Sequence, residues 1–183
     1  MRQAFTMALM CAVPALAADA EVFHGWSKDG TWFVKEAHGL NDVVELYFCA
    51  SETGATPTWP ATLNEADRLE GQFSCVRLID ANKAPYQWKK QLVLPEPSMA
   101  ANGLSVSAEL ITDGETPGYV VDGGAKKQTC YAQGLNDGSK LQKVWWHPNG
   151  KKVAAQIDGV VTPCGLTVKA VPVKNAGKPG KKK

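Results

Sequence analysis

Two stretches of the chain, GWSKDGTWFV from Gly25 and WWHPNGKKVA from Trp145, fit one frame when Trp26 is set on Trp146. Each reads tryptophan, two variable residues, Asp29 or Asn149, Gly30 or Gly150, two further positions, then an apolar pair. Asp-Gly or Asn-Gly between runs of aromatic and β-branched residues writes a tight hairpin turn, because glycine enters the φ > 0 region without steric cost. A chain of 183 residues that writes this frame twice, 120 residues apart, is expected to be built from antiparallel hairpins. The tetrapeptide GLND also occurs twice, at Gly39 and Gly134, but 95 residues apart. One duplication would give one offset, so GLND reads as the same turn reached twice. Between the two tryptophan stretches no further good frame stands out.

The remainder of the chain also reads as strands and turns. Short β-branched and aromatic runs lie at 31–37, 43–50, 73–80, 90–95, 104–111, 118–122, 128–132, 140–146, 152–158 and 165–173, with glycine and proline between them. One segment differs. In WPATLNEADRLEG, Thr62 precedes Glu65 by three residues, a capping box, and Gly71 supplies a stop. Leu63, Ala66 and Leu69 recur at helical spacing, so one short helix is expected there. The expected fold is mainly β: antiparallel sheets, as a sandwich or a short propeller-like blade array, with one short helix.

The two ends differ from the middle. Residues 1–18 read as a secretory signal peptide: Arg2, then an uncharged apolar run from Ala4 to Leu16, then small residues around Ala17. The run is too short for a spanning helix. Cys11 sits inside the apolar run rather than after it, which argues against a lipid anchor. Residues 21–173 read as a single β-rich domain. There 14 Lys/Arg stand against 17 Asp/Glu, whereas 174–183 carry five lysines and no acid. This basic tail, with Lys174, Lys178, Lys181, Lys182 and Lys183 between glycine and proline, is expected to be disordered. It reads as a solvated end, or as a weak contact with an anionic surface. The weakly acidic body argues against dedicated nucleic-acid binding.

Export makes the chain periplasmic or extracellular, and an oxidising compartment turns Cys49, Cys75, Cys130 and Cys164 into two disulfides. Four cysteines allow three pairings. The local one, Cys49–Cys75 and Cys130–Cys164, is favoured because each bond then staples one half of the chain. Zinc is disfavoured, since no CxxC occurs and no histidine lies within five residues of a cysteine.

The tryptophan frame resembles the WSPDG hairpins of TolB-type β-propeller repeats. That resemblance implies that Trp26 and Trp146 lie in blade cores, that Asp29-Gly30 and Asn149-Gly150 are turns, and that Phe33 and Val153 point inward. Lys35 stands where the pattern has an apolar residue, while Ala155 fits. The resemblance covers roughly 50 residues in two patches and brings no activity with it. A blade takes about 40 residues.

No catalytic motif stands out. His24, His38 and His147 have no metal-ligand spacing, and Ser27 lacks the glycine and the strand–turn–helix setting of a nucleophile elbow. No calcium loop is written. Glu109, Asp113, Glu115 and Asp122 fall near adjacent strands, where paired carboxylates serve glycoside hydrolysis; a solvated sheet face explains them more simply. In VWWHP successive side chains point to opposite faces. With Trp146 in the core, Trp145 either faces outward beside His147 as a contact for a partner or sugar, or packs under the helix or an opposite sheet. Trp59 and Trp88, in proline-containing loops, and Lys35 are further contact candidates. The leading expectation is a non-catalytic binding or scaffolding protein with a protein or polysaccharide partner, no cofactor and no metal. The alternatives are a small hydrolase of envelope polymer using Glu109, Asp113 or His147, and an inhibitor-type protein.

Overall fold

The computed structural model describes residues 20–38, 43–59, 63, 67–69, 73–79 and 86–170. The expected signal peptide, the lysine tail, the first GLND and most of the expected helix lie outside them. Among the described residues thirteen strands follow one another: β1 (Val22–Ser27), β2 (Trp32–His38), β3 (Val44–Ala50), β4 (Asp67–Leu69), β5 (Cys75–Ile79), β6 (Leu92–Val93), β7 (Ala100–Ala101), β8 (Leu104–Ile111), β9 (Gly118–Asp122), β10 (Lys127–Tyr131), β11 (Leu141–Trp146), β12 (Lys152–Ile157) and β13 (Val160–Gly165). A six-residue 3-10 helix, Tyr86–Gln91, precedes β6. The expected helix fails at its described C-terminal end. Asp67–Leu69 is a strand paired antiparallel to β5, with Leu69 opposite Cys75. Pairing to an existing sheet edge outweighs a weak local helix signal, because propensity is overridden by tertiary context.

The strands form three antiparallel sheets. The first runs β4-β5-β3-β2-β1-β6, the second β10-β9-β8-β7, and the third β11-β12-β13. The third lies between the other two. Trp145, Ala154 and Val161 pack with Phe23, Trp26, Phe33 and Cys49 of the first sheet. Val144, Trp146, Val153, Ala155 and Ile157 pack with Leu104, Val106, Tyr119, Val121 and Cys130 of the second. All six residues of β12 are therefore buried, and small alanines at its centre let a sheet approach each face. The far face of the first sheet buries Trp32, Val34, Leu46, Phe48 and Val76 under Leu63 and Trp88.

The two tryptophan stretches are matching hairpins, and each continues into a third strand. Trp26 lies opposite Phe33, and Phe33 opposite Cys49. Trp146 lies opposite Val153, and Val153 opposite Cys164. The second sheet contains a third copy that sequence reading missed. There Leu110 lies opposite Tyr119, and Tyr119 opposite Cys130. Its turn reads Leu110-Ile111-Thr112-Asp113-Gly114, and Gly30, Gly114 and Gly150 have φ of 74°, 85° and 69°. One backbone hydrogen bond recurs in all three: Ser51 N–H to Thr31 O at 3.0 Å, Ala132 N–H to Pro117 O at 2.9 Å, and Leu166 N–H to Lys151 O at 2.7 Å. A leucine in place of tryptophan, and the two extra residues Glu115 and Thr116, hid this copy.

Both favoured disulfides are present. Cys49 and Cys75 are directly opposite on β3 and β5, with Cα atoms 4.1 Å apart. Cys130–Cys164 joins β10 of the second sheet to β13 of the third. The half-cystines Cys49, Cys130 and Cys164 thus hold one register position in the three copies. Two-residue turns at Asn102-Gly103 and Asp158-Gly159, with positive φ at both residues, close the hairpins β7–β8 and β12–β13.

Candidate functional site

Trp145 does not face solvent. It is 6 % exposed, and its ring stacks on Phe23 of the first sheet at 4.7 Å between centroids and 29° between planes. The outward reading of Trp145 is therefore corrected, because the face opposite Trp146 meets a second sheet instead of water. The edge of this stack nevertheless lines a groove of 560 Å³. It is lined by Val22 and Phe23 of β1, by Gln142, Lys143 and Trp145 of β11, and by the strap Leu94-Pro95-Glu96-Pro97. Leu94 is 59 % and Val22 47 % exposed, unusual values for branched aliphatic residues.

The local sequence explains the opening. β6 pairs with β1 only at Trp26 and Ser27. Pro95 and Pro97 carry no N–H and cannot extend that ladder. Among the described residues no strand pairs with this edge of β1 at Val22–His24, and the strap crosses to the third sheet. There the Ser98 N–H donates to Val144 O at 2.8 Å, and the Trp146 indole N–H donates to Ser98 O at 2.8 Å. The groove thus combines the Phe23–Trp145 stack, the exposed aliphatic side chains of Val22 and Leu94, polar residues such as Gln142 and Lys143, and a stretch of β1 that β6 does not pair.

The other sequence candidates have defined places in the fold. His147 is 3 % exposed. Its Nδ1 accepts from the Asn149 N–H at 3.1 Å, so its Nε2–H donates to the Ser27 carbonyl at 3.2 Å. The ring lies edge-on to Trp26 at 6.0 Å, and a Cβ on Gly30 would stand only 3.2 Å from its Nε2. Trp88 is buried at 4 % against Phe48, and Trp59 is partly buried in the same cluster. Lys35 sits opposite Phe23 and forms an ion pair with Glu21 Oε1 at 2.6 Å. Ser27 Oγ donates to Asp29 Oδ1 at 2.6 Å and accepts from the Trp32 N–H at 3.1 Å, the work of a turn serine.

The carboxylates divide. Glu109 and Asp122 line a depression of 330 Å³ on the second sheet with Ser105, Ser107 and Lys127. Asp122 pairs there with Lys127 at 3.5 Å. Asp113 is the turn residue of the copy in the second sheet, equivalent to Asp29 and Asn149, and Glu115 is exposed in the same loop. His147 is buried elsewhere, so it does not converge with these acids. Among the described residues no group of three or more His, Cys, Asp or Glu could hold a metal ion.

A third opening, of 440 Å³, lies where the three copies meet, lined by Cys130, Cys164, Tyr131, Thr167 and the ion pair of Lys152 with Glu52. Among the described residues no helix is long and apolar enough to cross a membrane. The molecule is thus a disulfide-bonded β protein of three stacked meander units, with an apolar groove at one sheet junction. No protein-family model, curated protein or solved structure matches the chain.

Proposed function

We propose that this is an exported binding protein that holds an extended segment of another polypeptide in the groove beside Trp145. The single observation that carries the reading is the groove itself: Leu94 and Val22, exposed beside the Phe23–Trp145 stack, flank the stretch of β1 that, among the described residues, has no strand paired on that edge. A partner strand on that edge would gain main-chain hydrogen bonds, and alternate apolar side chains would enter the groove. The two disulfides accord with an oxidising compartment, which supports export. The repeated meander, with its aromatic or leucine, turn glycine and apolar partner, supports kinship with TolB-type blade hairpins.

The test is selection of eight- to ten-residue peptides on the folded protein, followed by NMR mapping. Selected peptides should carry apolar residues at alternate positions and shift the signals of Val22, Phe23, Leu94 and Trp145. Leu94→Asp should weaken them at least about tenfold without changing the fold. Selected peptides that shift signals only on another face would overturn the reading.

A further inference from the structure

The three copies agree where they pack and differ at one register position. Opposite each other on the second and third strands of each copy stand Trp32 and Ala50, Gly118 and Tyr131, and Lys152 and Gly165. The hairpin itself asks for no charge there. Trp32 packs in the core on the far face of the first sheet, and at Gly118 a Cβ would stand 2.0 Å from the Cys130 carbonyl oxygen. Lys152 nevertheless brings an ammonium into the body of the protein, with its side chain 11 % exposed.

A buried ammonium is costly unless it is paired. Its partner is Glu52, from the turn after β3, whose side chain is 57 % exposed. Gly165 makes the pairing possible. A Cβ there would stand 3.3 Å from both Cγ and Oε1 of Glu52. The carboxylate thus lies over a bare glycine and meets the ammonium with much of its own surface open.

The pair lines the 440 Å³ opening where the copies meet. Tyr131 lines it too and is 37 % exposed. Thr53, Thr129 and Thr167 add hydroxyls, and the exposed Lys151 adds a second ammonium. Among the described residues no carboxylate pairs with Lys151.

This combination suits a sugar ring. Ring hydroxyls both donate and accept, so a carboxylate, an ammonium and neutral hydroxyls side by side can satisfy them. The C–H face of the ring packs on an aromatic side chain whose polar end stays wet. The volume lies in the range of about 300–1,000 Å³ that small-ligand sites take. Two ammonium groups stand against one carboxylate, so a ligand carboxylate is favoured over a neutral group. We propose that this opening binds a short acidic saccharide, a chain of uronic-acid units. One ring lies on Tyr131, its hydroxyls meet the Glu52–Lys152 pair, and a carboxylate meets Lys151. The opening and the groove beside Trp145 have no lining residue in common, so the two sites stand or fall separately.

The experiment is calorimetric titration of the full chain at low ionic strength with tetramers of glucuronic acid, of glucose and of aspartate. The uronate tetramer should bind at least about tenfold tighter than either of the others. Tyr131→Ala should weaken it at least about tenfold, and Lys151→Gln should bring it down to the glucose tetramer. Both changes fall on exposed side chains, and the thermal unfolding of each variant should match the parent. Leu94→Asp, in the groove, should leave saccharide binding unchanged. An aspartate tetramer that binds as tightly would reduce the site to bare charge and overturn the proposal. Equal binding of the glucose and uronate tetramers, or no binding of either, would also overturn it. So would uronate binding that ignores Tyr131→Ala and Lys151→Gln, which is the result expected of attachment to the lysine tail.

Discussion

Ser27 and His147 hold the same position in two copies of one hairpin, and the His147 imidazole Nε2 lies 3.2 Å from the Ser27 carbonyl oxygen. The chain has thus placed two equivalent turns in contact and given their shared position two different tasks. Ser27 closes its own turn through Asp29 and Trp32, while His147 bonds its own turn and its neighbour's. His147→Ala removes both bonds and leaves a void against Gly30 and Trp26. The expected loss is about 2–4 kcal/mol in urea unfolding. A loss within about 0.5 kcal/mol would mean that the two turns are held apart from each other's packing.

The three-layer arrangement makes a steric forecast. Ala154 faces the first sheet and Ala155 the second, each at 0 % exposure. Ala154→Leu should cost about 1–3 kcal/mol by overpacking. Ala108→Leu, on the exposed part of β8, should be nearly neutral. Equal costs at both positions, read from thermal unfolding, would contradict the burial of β12 between two sheets.

Acid should act on the first turn. Burial pushes the Asp29 carboxyl up, but hydrogen bonds from the Ser27 hydroxyl and from Thr31 outweigh it and hold the carboxyl below its ordinary 3.8. A lowered folded-state value means that the unfolded chain takes the proton first. The contribution is complete above 3.8 and is lost as pH falls through the folded value. Asp29→Asn keeps an acceptor, as Asn149 does in the matching turn, and removes the titration. The stability difference between wild type and variant should hold from neutral pH to about 5 and change below about 4. A difference independent of pH down to about 2 would remove Asp29 from acid denaturation.

The disulfides should report on different parts of the fold. Their sequence separations are 26 and 34, for which loop-closure entropy gives about 3–4 kcal/mol each. Cys130→Ala with Cys164→Ala should lower amide protection of β10 and β13 and leave β3 and β5 unchanged. Cys49→Ala with Cys75→Ala should do the reverse. Hydrogen exchange measures both, and a uniform loss in either variant would show that one cooperative unit spans all three sheets.

Much of this was legible in advance. Asp29-Gly30 and Asn149-Gly150 announced their hairpins because turn chemistry is local and φ > 0 demands particular residues. Cysteine order favoured the pairing that forms. The segment 60–71 misled at its described end, since a capping box and a helical spacing of three leucine or alanine residues are weaker than a waiting sheet edge beside Cys75. The copy at Leu110 was hidden because packing accepts leucine where the pattern was read as tryptophan. Trp145 carried two settings in the sequence, outward or under an opposite sheet, and the fold takes the second. The signal that could have found the groove is Leu94-Pro95-Glu96-Pro97, two prolines that forbid a ladder beside an apolar residue.

What the sequence by itself determined is local: strands and turns, the mainly β class, and the two cysteine pairs. Each depends on a residue's own backbone preference or on chain order. The tertiary structure decided which faces are inside. Alternation along β11 separates Trp145 from Trp146 onto opposite faces, but it does not say that both faces are covered. Only the stacking of the first and second sheets on the third buries both, and only the proline strap leaves a groove at the margin of that stack.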